Sequence, residues 1–332
     1  MSGQIQSSHK KLGNKGEDVV SSTSNNSTLP LSEATMQWLL QQAGTGSVIE
    51  QVNALKGGIS SAVYGIQGKR QGETFEYVLR QFTDREWLAH EPDLAEHEAE
   101  ALIRAYGADV PSPQWIAGDF AGQSCGFPSV LMTRLEGEVI LQPQELPGWI
   151  EGLAGSLAGL HQADTAPMRW NYFTYNNITA LQIPDWTGSP EAWGKIIKRV
   201  QGDTPIYTPR FIHRDYHPTN ILWKNGKVSG IVDWVNSCYG PAGIDTGHCR
   251  VNLVQLHGVE TADAFLEAYL NSPGSTEEVT DCYWDMLSLT DFLCWPPEVY
   301  QGWIDLGFTG LSTQIIKERI DEYAESLAAK LS

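Results

Sequence analysis

Residues Phe211 to Trp234 read FIHRDYHPTNILWKNGKVSGIVDW. Short apolar runs flank a polar loop, His213-Arg214-Asp215-Tyr216-His217-Pro218-Thr219-Asn220. Ile221-Leu222-Trp223 then lead into Asn225-Gly226, a pair suited to a two-residue hairpin because both central positions need positive φ. The return strand, residues 228–232, delivers Asp233 to the end of an apolar run. An Asp and an Asn on one loop, and a second Asp brought back by a hairpin, can converge on one point. Such a trio can orient a hydroxyl nucleophile and hold magnesium against phosphates.

The loop matches the kinase pattern H-R-D-x-x-x-x-N, with His213, Asp215 and Asn220 in register and Asp233 where the second metal-binding Asp belongs. The stretch resembles the aminoglycoside phosphotransferase family, small-molecule relatives of the protein kinases. Two features favour that branch over protein kinases. Asp233 is followed by Trp234-Val235 rather than Phe-Gly, and no segment ending in Ala-Pro-Glu follows. The resemblance implies an α+β, two-lobed, protein-kinase-like fold, with a small antiparallel sheet lobe and a larger, mainly helical lobe. The expected division is a disordered tail over residues 1–30, a nucleotide-binding lobe over 31–134 and a catalytic and substrate-binding lobe over 135–332.

With 332 residues and 41% hydrophobic content the chain can bury a sizeable core. No apolar run is long enough to span a bilayer, and the N-terminus lacks the apolar centre of a secretory signal. The five cysteines are scattered without a Cys-x-x-Cys pair and read as free thiols in a reducing cytosol, so a cytoplasmic location is expected. The net charge of −18 disfavours nucleic acid as a partner. It suits a cationic acceptor, and equally it suits simple solubility.

In the first 28 residues Ser, Asn, Gly and Lys dominate, a composition that cannot form a core. Ser32 can cap a helix carrying Met36, Leu39 and Leu40. Strands are expected over 48–55, 62–66 and 74–82, with Lys56-Gly57-Gly58-Ile59-Ser60-Ser61 between the first two. By the resemblance, Gly57, Gly58, Ser60 and Ser61 would cover nucleotide phosphates, although an ordinary hairpin turn reads the same way. Arg80 stands where the kinase pattern has Lys; it stays cationic with bidentate phosphate geometry. Residues 90–106 read as a helix, and Glu98 resembles the family's acidic partner for that cation. Pro111 and Pro113 end this helix, and strands are expected over 114–118 and 128–134. Met132-Thr133-Arg134 then resembles the hinge whose backbone would meet a purine, with Met132 and Arg134 as nucleotide-binding candidates.

An amphipathic helix is expected over 146–161, with His161 at its dipole end. Ser189-Pro190 signals another helix start. Asp245 either steadies the loop, as the resemblance implies, or is a plain N-cap of a helix over 246–256. Residues 281–303 mix aromatics with Asp285, Asp291 and Glu298, which could hold a sugar or cation or be ordinary helical core.

The chemistry implied is transfer of the γ-phosphoryl of ATP or GTP to a hydroxyl of a small molecule, an antibiotic such as an aminoglycoside or, alternatively, a metabolite such as choline, homoserine or a sugar. A nucleotide-binding pseudokinase is a further alternative. Asp215 would orient the hydroxyl and take its proton; Asn220 and Asp233 would hold Mg²⁺; His213 and Asp245 would support the loop. His217 is a candidate substrate contact.

Overall fold

A computed structural model describes residues 31–55, 61–163, 166–293 and 296–331. The expected tail over residues 1–30 lies outside the described residues, as do Gly57, Gly58 and Ser60. The chain divides into two compact units. Of the described residues, the first comprises those within 31–99 and 115–134, the second those within 100–114 and 135–331.

In the first unit, helix α1 (Glu33–Ala43) starts as its sequence requires: Ser32 Oγ accepts from the Thr35 amide at 3.1 Å. It stops at Gly44, whose φ of 96° only glycine adopts readily. Strands β1 (Ser47–Ala54), β2 (Ser61–Arg70) and β3 (Glu73–Phe82) follow. The helix expected over 90–106 starts at Leu94, and a short extra helix precedes it. Asp84 caps α2 (Arg85–His90) by accepting from the Glu86 and Trp87 amides. Pro92 then interrupts, and α3 (Leu94–Gly107) begins beyond it. Strands β4 (Trp115–Asp119) and β5 (Ser129–Thr133) complete an antiparallel sheet of order β1-β2-β3-β5-β4. Trp38 and Leu39 of α1 join Ile66, Leu79, Ala117, Cys125 and Leu131 in its core.

The unit division falls inside α3, after Ala99. Residues 100–114, placed in the small lobe from sequence, belong with the second unit because their bonds go there. Arg104 Nη1 donates to the Ala166 carbonyl at 2.5 Å, and the Pro111 carbonyl accepts from the Ile231 amide at 2.7 Å.

The second unit is mainly helical. After β6 (Glu138–Val139) come α4 (Leu146–Gln162) and α5 (Pro190–Val200). Strand β7 (Arg210–Ile212), the hairpin β8 (Ile221–Lys224) and β9 (Lys227–Ile231), and β10 (Cys238–Gly240) carry the polar loop. Asn225 and Gly226 have φ of 52° and 72°, the positive pair the hairpin needs. Then follow α6 (Ala242–His257), α7 (Val259–Leu270), α8 (Tyr283–Leu289), α9 (Gln301–Asp305) and α10 (Thr313–Ala329). No helix among the described residues is long and apolar enough to cross a membrane.

Helix α6 is the axis of this unit. Thirteen of its residues are buried, polar Asp245, Thr246, Arg250 and Gln255 among them. A helix covered on all sides must satisfy every charge it carries. Arg250 does so with Asp285 of α8, with Asp263 of α7 at 2.5 Å and with the Ala262 carbonyl at 3.1 Å. Close approach of α8 depends on two small residues. A Cβ on Gly247 would stand 2.7 Å from both the Trp284 carbonyl oxygen and Ser288 Oγ, and one on Gly243 would enter the Trp284 ring.

Gly247→Ala sets two effects against each other. Helix propensity alone would stabilise by up to about 1 kcal/mol, whereas overpacking against backbone costs about 1–3 kcal/mol. Overpacking prevails, so thermal denaturation should show a lowered Tm; a raised Tm would mean that α6 and α8 are not this close.

Candidate active site

The hairpin places its two ends side by side. Ile221 pairs with Ile231, and the Val232 amide donates to the Asn220 carbonyl at 2.9 Å. Asn220 and Asp233 therefore leave the same end of one ladder. Asp233 turns off it in the left-handed region, at φ 67° and ψ 62°. For a residue other than glycine this conformation costs about 1–3 kcal/mol, so the surrounding contacts must hold it. His213 supplies one: its Nε2–H donates to the Val232 carbonyl at 3.0 Å, and its ring lies 4.8 Å from that of Trp234.

Asp245 organises the start of the loop. One carboxylate oxygen, Oδ2, accepts from the His213 amide at 2.9 Å and the other, Oδ1, from the Arg214 amide at 2.6 Å. Arg214 is itself left-handed, at φ 67°, and its guanidinium rests against Phe173 and Tyr175 while donating to the Phe173 carbonyl at 2.7 Å. Behind Asp245, His161 Nε2–H donates to Oδ2 at 3.1 Å, leaving Nδ1 to accept from the Tyr269 hydroxyl at 2.8 Å. Burial raises the Tyr269 pKa, keeping that hydroxyl a donor. Two expectations change here. Asp245 is not an N-cap, since α6 begins beyond Pro241 and Asp245 lies fully buried in its first turn. His161 is not merely a helix-end dipole partner but the buried support of Asp245.

Asp215 lies at the centre of the loop. Asn220 Nδ2 donates to its carbonyl at 2.9 Å and to Oδ2 at 3.3 Å. Its Oδ1 lies 3.1 Å from His248 Nε2 and 3.7 Å from His217 Nε2. His217 is neutral above about 4, because burial lowers its pKa to that value and outweighs the charge of Asp215. Burial also opposes the charge on His248, but the hydrogen bond and charge of Asp215, with Asp291 and Asp245, outweigh it and raise that pKa.

The donor set fits a hard cation. Because the Asn220 nitrogen is turned to Asp215, its oxygen is left for a ligand, and Asp233 adds a carboxylate; Mg²⁺ takes such oxygen donors. Asp215, His217 and His248 also bring ligand atoms within 4.8 Å of one another, but two imidazoles are poor Mg²⁺ ligands.

In the first unit, Arg80 Nη1 meets Glu98 Oε1 at 2.7 Å and its Nε donates to Ser61 Oγ at 2.9 Å. All three residues are buried. Met132 is a buried residue of β5, and the Arg134 amide already donates to the Glu76 carbonyl at 3.0 Å. The Arg134 side chain is half exposed, 3.8 Å from Glu76.

The aromatic stretch over 281–303 divides. Tyr283, Trp284 and Trp303 are core, and Asp285 belongs to Arg250. Tyr300 stacks edge-on against Trp303, and burial first, then the charges of Asp215 and Asp233, raise its pKa. His248 is the group that reading the sequence missed. Spacing carried a signal for His248, because it lies three residues after Asp245 and so on the same helix face. Burial pushes the Cys125 thiol up to about 11 and Cys238 to about 12, so neither is a nucleophile at neutral pH.

These features define a phosphotransferase with a kinase-like fold, and comparison agrees. Residues 51–279, more than half of the chain, match the profile of the phosphotransferase enzyme family, APH. The chain belongs to that family. A homoserine kinase of Methylocella silvestris is 26% identical over 239 residues, 66% of this chain and 69% of that protein. A thermostable mutant of aminoglycoside phosphotransferase APH(4)-Ia, crystallised with AMP-PNP and hygromycin B, superposes with a TM-score of 0.58 at 14% identity, over 90% of this chain and 98% of that one. Amicoumacin kinase hAmiN, in complex with AMP-PNP, Ca²⁺ and Ami, gives 0.58 at 11% identity, over 89% and 93%. At such identities the structures share the fold.

The Arg80–Glu98 pair generates a stability test. Glu98→Ala leaves a buried guanidinium without its carboxylate and should destabilise by about 3–5 kcal/mol. Replacing both residues, Arg80→Met with Glu98→Leu, should recover most of that loss in urea unfolding. Strictly additive losses would show that the two do not interact.

Proposed function

We propose that this protein transfers the γ-phosphoryl group of ATP or GTP to a hydroxyl of a small molecule, with Asp215 meeting that hydroxyl. The observation that carries the reading is that Asn220 bonds Asp215 while the hairpin returns Asp233 to the ladder end that Asn220 leaves, with Asp245 holding the start of the loop through two backbone amides.

Asp215 orients the acceptor O–H and takes its proton as the new O–P bond forms and the bond to the nucleoside diphosphate breaks. Asn220 and Asp233 would hold Mg²⁺. A cation held there neutralises phosphate charge. Arg80, aimed by Glu98 and Ser61, is proposed to grip nucleotide phosphates as a fixed cation. The sequence 57–60 and the backbone near Met132 and Arg134 are proposed nucleotide contacts, with the Arg134 amide excluded by its bond to Glu76. His213 supports the loop. Most of the catalytic gain in such a site comes from positioning and charge neutralisation.

The AMP-PNP complexes of fold relatives support a nucleoside triphosphate as co-substrate. Those relatives hold antibiotics, whereas the homoserine kinase likeness supports a metabolite acceptor. The acidic balance suits a cationic acceptor in either case. A cytoplasmic setting, where nucleotide and Mg²⁺ are both present, completes the proposal. The full trio of Asp215, Asn220 and Asp233 speaks against a pseudokinase.

Transfer from γ-labelled ATP and GTP with Mg²⁺ should be measured across aminoglycosides, macrolides, choline and homoserine. Transfer to an acceptor is expected, and Asp215→Ala should lower it about a hundredfold or more while Mg-ATP still binds. Asp233→Ala should instead weaken Mg-ATP binding in calorimetry. Equal loss of binding and turnover in Asp215→Ala, or unchanged binding in Asp233→Ala, would reassign those residues.

A further inference from the structure

The Asp215 carboxylate is gripped from two directions by two different elements. Asn220, five residues along the loop, donates to Oδ2 at 3.3 Å. His248, from helix α6, stands 3.1 Å from Oδ1. A carboxylate held by one donor can still rotate about its Cβ–Cγ bond; one held at both oxygens cannot. His248 is well placed for this task by its position on a largely buried helix. It lies one turn after Asp245 on the most deeply buried helix of the unit, and that same helix turn fixes the start of the loop through the His213 and Arg214 amides. Loop and clamp thus share one rigid support, so their separation does not depend on side chains from elsewhere in the fold.

We propose that His248 is a positioning residue for phosphoryl transfer: it donates Nε2–H to Asp215 Oδ1 and, with Asn220 on Oδ2, fixes the plane in which the carboxylate meets the acceptor hydroxyl. The proposal rests on the reading of Asp215 given above. It is the orientation of the carboxylate, rather than its presence, that His248 supplies. An error of about 1 Å at such a group costs about a hundredfold in rate.

The charged and titratable groups around His248 are Asp215 and His217 of the loop, Asp245 one turn back on α6, and Asp291 of the 290–292 turn. Asp215 is the one of these that also makes a hydrogen bond to it; the uncharged Asn252 Nδ2 lies 3.3 Å from the same Nε2 but has the His248 carbonyl as its acceptor at 3.0 Å. The imidazole therefore reports its partner. In the full chain with ¹⁵N-labelled histidine, without nucleotide or acceptor, His248 should titrate above the usual 6.5, and Asp215→Asn should move it down. A His248 resonance indifferent to Asp215→Asn would overturn the pairing.

Kinetics supply the second arm, with Mg-ATP as the probe and γ-phosphate release to water as the readout. His248→Ala should lower kcat about tenfold to a hundredfold while KM for Mg-ATP stays within about twofold. His248→Gln, which keeps a nitrogen donor, should restore kcat to within about threefold of the parent. An unchanged kcat in His248→Ala, or a fall matched by equal losses in nucleotide affinity and Tm, would overturn the positioning role. Neither result would touch the role of Asp215, which fails separately if Asp215→Ala retains turnover.

Discussion

One carboxylate carries the arrangement of the second unit. Asp245 accepts from two consecutive amides, His213 and Arg214, and so fixes the direction in which the chain leaves β7. Hydrogen bonds to a charged acceptor are among the stronger ones, and at a fully buried site no water competes for them. The carboxylate is itself held, through His161 and Tyr269, by α4 and α7. Removing Asp245 would therefore leave two amides and an imidazole without their acceptor. The loop, the hairpin it leads into and Asp233 at the hairpin's end all inherit their positions from this contact.

The two groups of proposed nucleotide-binding residues are stabilised by different physics. In the first unit Arg80 and Glu98 form a buried ion pair, whose desolvation makes it a poor source of stability but a good way to fix a cation's direction. In the second unit the groups are fixed mostly by backbone: the Val232 amide on the Asn220 carbonyl, and two left-handed residues, Arg214 and Asp233, on either side of the loop. Backbone strain of that kind persists where the surroundings over-determine it, as Asp245 and His213 do here.

Much of this was legible in the sequence, and the reasons differ from element to element. The hairpin was readable because Asn225-Gly226 is a local signal that tertiary context seldom overrides. The pair of Arg80 and Glu98 was readable from the resemblance, which places a cation on a strand and an acid on the next helix. The short helix α2 was missed because it has only six residues, too few for a periodic stripe. The role of His161 was hidden because its partner is 84 positions away. The stretch over 281–303 misled because aromatics with interspersed acids look alike whether they line a pocket or fill a core. Partners and burial decided the matter: Arg250 claimed Asp285, while Tyr283, Trp284 and Trp303 went into the core.

Asp245 lies beneath the loop of the second unit, and Asp245→Asn tests that support directly. The substitution keeps shape and volume but puts an NH₂ where one amide donor now finds an oxygen. The measurement is Mg-dependent γ-phosphoryl turnover of this variant beside its thermal unfolding. A folded protein with a lowered Tm and turnover reduced about a hundredfold or more is the expected result. Turnover equal to that of the parent protein would contradict the account, because the loop would then hold Asp215 in place without the buried carboxylate.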